Sequence, residues 1–464
     1  MPGFVLRNGR VIDPSVGLDA ITDVCVTADG HIAGTGSEIL GLKVEFKNRE
    51  TPEQKGQGEQ SGWTEIDVTG CLVTPGLIDC HVHAYEHATP LGINLDKTCL
   101  ARGVTSVLDA GSAGSSTVPG LPKYVEETSQ TRLFCLLHIA RHGLADAGCV
   151  STSGGGECDS LNVVDVDACV KTISTYRDKI VGVKVRLARM VADNGRNEPE
   201  IYRRALQASL ACSVPLMTHH SISSIPLGGG TGLNCPGDLR PGDIYTHCFH
   251  GQVGNIVDQD TGKVNPYVWK AKKRGVLFDI GHGQGSFSWK VAEQCASEGF
   301  WPDIISTDLH TGSLSGPAYD LVAVMSKMLH IGMPLIEVIR AVTETPARAI
   351  GEDTNTSWSR LEKKHNLTTG TTTGKDQEIG QLGSGRRADI TVLRLQDISK
   401  DIEDSQGELR SLQKAFVPVK VFMDGKEFSV TEGVIWPNQE SVKACQERTA
   451  EFKADDLARE GKGK

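Results

Sequence analysis

Apolar and polar residues alternate in short runs at the start of the chain. FVLRNGRVID (4–13) carries the alternation across Asn8-Gly9, and ITDVCVTADGHIAGTG (21–36) repeats it about Asp29-Gly30. Alternating side chains line the two faces of a half-buried strand, and Asn-Gly or Asp-Gly between two such runs predicts a hairpin. Residues 41–62 lose the pattern and are rich in Gly, Gln and Glu, which predicts a loose insertion.

The pattern then changes to unbroken apolar runs. Eight follow one another: LVTPGLIDCHVH (72–83), VTSVLDAG (104–111), LFCLLHIAR (133–141), IVGVKVRL (180–187), VPLMTH (214–219), DIYTHCF (243–249), GVLFDIGHG (275–283) and DIISTDL (303–309). Each has the length of a strand buried on both faces, as in a parallel sheet. Helical stretches lie between them. Residues 163–179 place Val166, Val170 and Ile173 on one face, and EPEIYRRALQASLAC (198–212) opens on acids and a proline, a helix start. Residues 287–300 and 318–332 read the same way. Eight alternations predict an α/β fold, a (β/α)₈ TIM-like barrel; an open doubly wound sheet is the alternative.

Residues 353–378 are polar and rich in Thr and Gly, which predicts a surface insertion. Strand patterns return in 380–395 and 416–430, the latter with an Asp-Gly turn, so both chain ends are expected to build one small β-sandwich domain beside the barrel. The division is then 1–70 for the first part of the small domain, 71–352 for the barrel, 353–378 for the insertion, 379–436 for the rest of the small domain, and 437–464 for a charged, weakly helical tail.

Bulk properties narrow the function. A formal net charge of −10 argues against nucleic acid or an anionic membrane as partner and favours a small-molecule substrate, with a homo-oligomer open. The cysteine count of 13 is odd and includes no CxxC pair, which points to buried thiols in a reducing compartment. The N-terminus lacks a basic segment followed by an apolar one, and no apolar run approaches the ~20 residues of a membrane span. A cytoplasmic protein is expected.

Metal-ligand residue types sit at the ends of five apolar runs. His81 and His83 end the first; two apart on a strand, they share a face and can hold one cation. Lys184 stands inside an apolar run, where a charged amine is costly; it must be neutral, paired or modified, and a neutral amine can take up carbon dioxide as a bridging carbamate. Arg186 lies two residues on. The fifth run ends in His219-His220, of which alternation lets only one face the barrel mouth, and the sixth leads into His247 and His250. Asp308, at the end of the eighth, can ligate a metal and accept a proton. Imidazoles with a carboxylate suit zinc first, then manganese or iron. His282, at the end of the seventh run, is placed either to bond a substrate carbonyl or carboxylate or to be satisfied by backbone in its Gly-rich turn, and Arg141, ending the third, either to pair with a substrate carboxylate or to form a surface salt bridge. Asp109 in LDAG has a capping or orienting place.

PGLIDCHVH, Lys184 in VGVKVRL, the later His residues, Asp308 in STDLH and the Gly383–Ile390 element together resemble the amidohydrolase superfamily, over nearly the whole chain. TSVLDAGSAGSST, GDIYTHCFHG and DIGHGQGSFS are similar to its dihydroorotase-like amidohydrolase/deacetylase group. The resemblance implies two divalent ions: His81, His83 and Asp308 on one, His219 and His247 on the other, with carboxylated Lys184 bridging. It implies a metal-dependent hydrolase that cleaves an amide or ester (acyl) bond, through a metal-activated hydroxide, with Asp308 as catalytic proton shuttle and His282 assisting the oxyanion. HVH is followed by AYEHA, without the Arg that would bind orotate in dihydroorotase. The rival readings are a cyclic amidohydrolase, such as dihydroorotase or hydantoinase, and a non-catalytic barrel scaffold for a protein partner.

Overall fold

The computed structural model describes residues 3–36, 38, 63–146, 155–351 and 379–462, with backbone alone for 452–462. Both expected insertions, 41–62 and 353–378, lie outside these residues.

Seven strands form one curled parallel sheet in chain order: β1 (Leu77–Val82), β2 (Val104–Gly114), β3 (Arg132–His138), β4 (Ile180–Leu187), β5 (Leu216–His220), β6 (Ile244–Thr246) and β7 (Leu277–Asp279). The eighth apolar run forms no ladder. It touches both edges instead, Ile304 bridging Asp279 and Leu309 bridging Val82, each in the parallel sense. The sheet thereby curls into a barrel whose last stave is held at its two ends. Helices lie in the expected intervals, among them α1 (Val166–Thr175) and α2 (Glu198–Cys212). Burial of Cys169 and Ile173 on α1, and of Ile201, Tyr202, Ala205 and Ala208 on α2, follows the helical repeat.

The first apolar run is divided between two sheets. Leu72–Pro75 pairs with the small domain's strands, and the chain passes into β1 at Gly76. An added Cβ at Gly76 would crowd the Thr105 side chain, so the crossing needs glycine. The other sheet has eight strands from both chain ends: Gly3–Asp13, Leu18–Val26, Ile32–Thr35, Trp63–Asp67, Leu72–Pro75, Ile390–Glu403, Leu409–Met423 and Lys426–Phe428. Phe4 and Phe422 lie on strands that are not neighbours, yet their rings stack at 4.7 Å, so this sheet rolls over on itself around a core of its own.

Two Asp-Gly turns behave as expected. Leu18–Val26 and Ile32–Thr35 pair antiparallel across Asp29-Gly30, and Asp424 and Gly425, at φ 48° and 72°, join the last two strands. Asn8-Gly9 does not turn the chain. Gly3–Asp13 continues through it as a single strand, with a register shift between Leu6 and Gly9 and Asn8 at φ 64°. Asparagine tolerates the left-handed region a bulge needs, so the same dipeptide here makes a bulge rather than a hairpin.

After the eighth run the chain enters α3 (Leu321–His330), capped by Asp320, which accepts a hydrogen bond from Ala323 N at 2.7 Å. The same carboxylate accepts one from Arg102 Nε at 2.6 Å, and both side chains are buried. Arg102 also donates to the carbonyls of Thr431 and Gly433, which ties the barrel to the C-terminal segment. Asp320→Ala strands a buried guanidinium and removes a helix cap. It is expected to destabilise the fold by about 3–5 kcal/mol, read as a lowered unfolding midpoint.

Candidate metal centre

His81, His83, Lys184, His219, His247 and Asp308 come from β1, β4, β5, the turn after β6 and the eighth run, and all line one cavity of about 160 Å³. This is the C-terminal rim of the strands, where barrel active sites lie. His83 Nε2 stands 3.0 Å from Asp308 Oδ1 and His81 Nε2 3.3 Å from the same oxygen. Donor atoms of these three residues all fall within 4.8 Å of one another. Lys184 Nζ lies 3.1 Å from His81 Nε2, and the rings of His219 and His247 are 4.1 Å apart.

Three of the imidazoles are held from behind. His83 Nδ1 contacts Ser112 Oγ at 3.1 Å, and the Ser112 amide in turn donates to Asp109 at 2.7 Å. His81 Nδ1 faces Thr246 Oγ1 at 3.0 Å and Asp279 Oδ2 at 3.4 Å, while His247 Nδ1 donates to the Gly281 carbonyl at 2.6 Å. Such partners fix the tautomer that turns Nε2 towards a metal. His247 Nε2 is buried and has no hydrogen-bond partner among the described residues. Burial without a partner is unfavourable for an imidazole nitrogen, and coordination would satisfy it.

The electrostatics suit a cation. Burial, and then the nearby charge of Lys184, hold His81 well below its usual range; burial brings His247 down to about 3. Both rings are therefore neutral and able to ligate. Burial also lowers Lys184 to about 8, so a neutral amine is accessible near neutral pH. Burial would raise Asp308, yet the carboxyl is held well below the usual range, with the hydrogen bond from His83 favouring the ionised form. His247 and Asp308 both adopt positive φ, 67° and 47°, a strained backbone that the surrounding packing maintains. Gly281 makes room for the imidazoles of His247 and His81: its added Cβ would lie 2.9 Å from His247 Nδ1 and 3.0 Å from His81 Nδ1. Neutral imidazoles, an ionised carboxylate, an accessible amine and an orphaned nitrogen form a donor set that fits divalent metal.

Alternation on β5 resolves His219 from His220. His219 lines the cavity, while His220 is held by Tyr245 Oη at 3.0 Å and the Ile225 carbonyl at 2.9 Å. His250 is buried and does not line the cavity. Neither of the residues expected to bind substrate, His282 and Arg141, lines the cavity. His282 lies beside the cavity wall without lining it; Nδ1 engages the Gly283 carbonyl at 3.0 Å, Nε2 meets Lys327 Nζ at 2.7 Å, and the ring stacks on Phe287 at 4.7 Å. Arg141 is half exposed and lies 3.9 Å from Asp165, outside the cavity. A residue at a strand end can as easily turn into the neighbouring loop packing as into the mouth, and sequence does not distinguish the two.

Asp279 went unrecognised in the sequence. It accepts hydrogen bonds of 2.6 Å from both Thr246 Oγ1 and Ser306 Oγ, and so fixes the hydroxyl that faces His81. Its signal was an acid inside an apolar run, the signal that marks Lys184. Asp279→Ala is expected to weaken metal binding about 10–100-fold, measured by competition with a chelator. His310, two residues beyond Asp308, also lines the cavity.

No protein-family model matches the chain. It is 31% identical to a deacetylase of Agrobacterium fabrum over 86% of its own length and 84% of that protein's. It is 30% identical to a deacetylase of Enterococcus faecalis, covering 84% of this chain and 96% of that one. A dihydroorotase crystal structure superposes with a TM-score of 0.72 at 27% identity, covering 93% of this chain and 100% of that one. An adenine deaminase does so at 0.71 and 26%, covering 92% and 99%. Relatives of this kind, along nearly the full chain and on the same curled barrel, place the protein in the amidohydrolase superfamily, as a metal-dependent hydrolase related to the deacetylases.

Proposed function

We propose that the chain hydrolyses the acyl bond of a small molecule, an amide or ester, in the manner its deacetylase relatives' name implies. The observation that carries this reading is the convergence of six ligand-type side chains on one small cavity. Two divalent ions, zinc first, would be held by His81, His83 and Asp308 on one side and His219 and His247 on the other, with Lys184 bridging as a carbamate. When bound, such ions acidify water and polarise a carbonyl. Asp308, ionised and pinned between two imidazoles, takes the proton released by the attacking water and returns it to the leaving nitrogen or oxygen. Asp279, Thr246, Ser112 and Asp109 keep the imidazoles in register.

A cavity of this size supports a small-molecule substrate over nucleic acid or a macromolecular partner. No helix among the described residues is long and apolar enough to cross a membrane, and no described cysteine forms a disulfide, which supports the cytoplasmic reading. The roll that brings Phe4 onto Phe422 supports a small β-sandwich built from residues 1–70 and 379–436, beside a barrel at 71–352. A screen of N-acetyl amino acids, O-acetyl hydroxy acids and cyclic amides tests the function. Hydrolysis of an acyl amide or ester is expected. Turnover of the cyclic amides alone would replace this reading with the cyclic amidohydrolase, and no turnover by metal-loaded protein would favour the scaffold.

A further inference from the structure

The cavity has one wall that the barrel does not supply. The tail forms a helix, α4 (Gln439–Lys462), and Arg448 on it lines the same cavity as the metal-ligand residues. Its placement follows from the helical repeat. Ser441, Cys445 and Arg448 fall at i, i+4 and i+7, one face of the helix, and Ser441 and Cys445 are buried. The start of the helix is fastened to the loop after the eighth run: Asn438 Nδ2, just before it, donates to the Ser315 carbonyl at 2.8 Å, and the Asn438 amide to Tyr319 Oη at 3.1 Å. The tail is thus a docked element, and its docking face ends in a guanidinium at the cavity mouth.

The charge there is unbalanced. Arg186 lines the same cavity with Glu157 as counter-ion, Nε to Oε1 at 3.1 Å. Arg448 donates to Cys445 Sγ at 3.2 Å, a weak acceptor, and no carboxylate among the described residues forms an ion pair with it. A guanidinium keeps its charge at any physiological pH and offers donors in a planar fork that matches a carboxylate. We infer that Arg448, with Arg186, forms an anion-binding wall of the active cavity, and that the substrate carries a carboxylate which Arg448 receives. This deepens the hydrolase reading and rests on it, for it names what the substrate must bear at the end away from the scissile bond. It also gives the C-terminal helix a part in the site.

Equilibrium binding tests this without turnover, so its failure is separable from failure of the hydrolase reading. Benzoate and benzamide share a shape and differ in charge. Calorimetric titration of each into metal-loaded full-length protein is compared for wild type, Arg448→Ala, Arg448→Lys and Lys443→Ala, an exposed cation elsewhere on the same helix. Removing one charge-assisted contact is expected to weaken benzoate binding about 10–100-fold in Arg448→Ala, with partial recovery in Arg448→Lys and no change in Lys443→Ala. Benzamide binding should stay level throughout, and the unfolding midpoint of Arg448→Ala should match wild type. Equal losses for both probes would show a packing role and overturn the inference. So would an unchanged benzoate affinity in Arg448→Ala, or a wild-type protein that binds benzoate no better than benzamide.

Discussion

Asp308→Asn is expected to lower kcat on the acyl substrate by about 10²–10⁴-fold while leaving KM nearly unchanged. The substitution keeps the shape and an oxygen donor but removes the base. Among the described residues Asp308 is the one carboxylate that lines the cavity, its Oδ1 lies within 3.3 Å of two imidazole nitrogens, and its backbone is held in a strained conformation at the end of the eighth run. The asparagine side chain cannot accept and return a proton near neutral pH. Steady-state kinetics, paired with elemental analysis of the same sample, separates loss of the base from loss of metal. Undiminished turnover with metal retained would remove Asp308 from the proton-transfer role.

The second large effect is at Lys184. Replacing it with alanine deletes the group placed to join the two halves of the donor set, beside His81 and within the same cavity as His219, His247 and Asp308. Its neighbours include an imidazole nitrogen and Met217 Sδ at 3.4 Å, and burial brings the amine down to about 8, so the neutral form is accessible near neutral pH. A neutral amine reacts with carbon dioxide; an ammonium does not. Lys184→Ala is therefore expected to reduce turnover at least about 10²-fold and to lower metal content. Added formate or acetate, small enough to occupy the vacated volume, should restore part of both. Full activity in Lys184→Ala would show that the lysine is not a bridge.

How much of this was legible beforehand differs from residue to residue. The barrel was legible because buried parallel strands are apolar throughout, and eight such runs leave few arrangements. His81, His83, Lys184 and Asp308 stand out because each is a polar residue where an apolar one belongs. His219 over His220 could be narrowed to one of two by strand alternation, and the structure shows the other held by Tyr245 and Ile225. The pattern of the eighth stave predicts a strand, yet among the described residues its bridges to the sheet are the two at Ile304 and Leu309. Hydrophobicity registers its burial but not its ladder. The surroundings of His282 are not legible in sequence because Lys327, whose Nζ meets its ring nitrogen, comes from a helix 45 positions away. Arg448 was invisible for a related reason: nothing in a charged tail announces that one of its faces docks against the barrel mouth. Asn8-Gly9 shows the limit of a local signal, since the same backbone preference serves a turn or a bulge and only the pairing partner decides.

The central claim is that these six residues form a metal centre. Elemental analysis of protein purified with bicarbonate and without chelators tests it most directly. About two divalent ions per chain, removable by chelation together with activity and restored on adding zinc, is the result this account predicts. Protein that hydrolyses acyl substrates with no bound metal, or that takes up none when zinc is supplied, would contradict it.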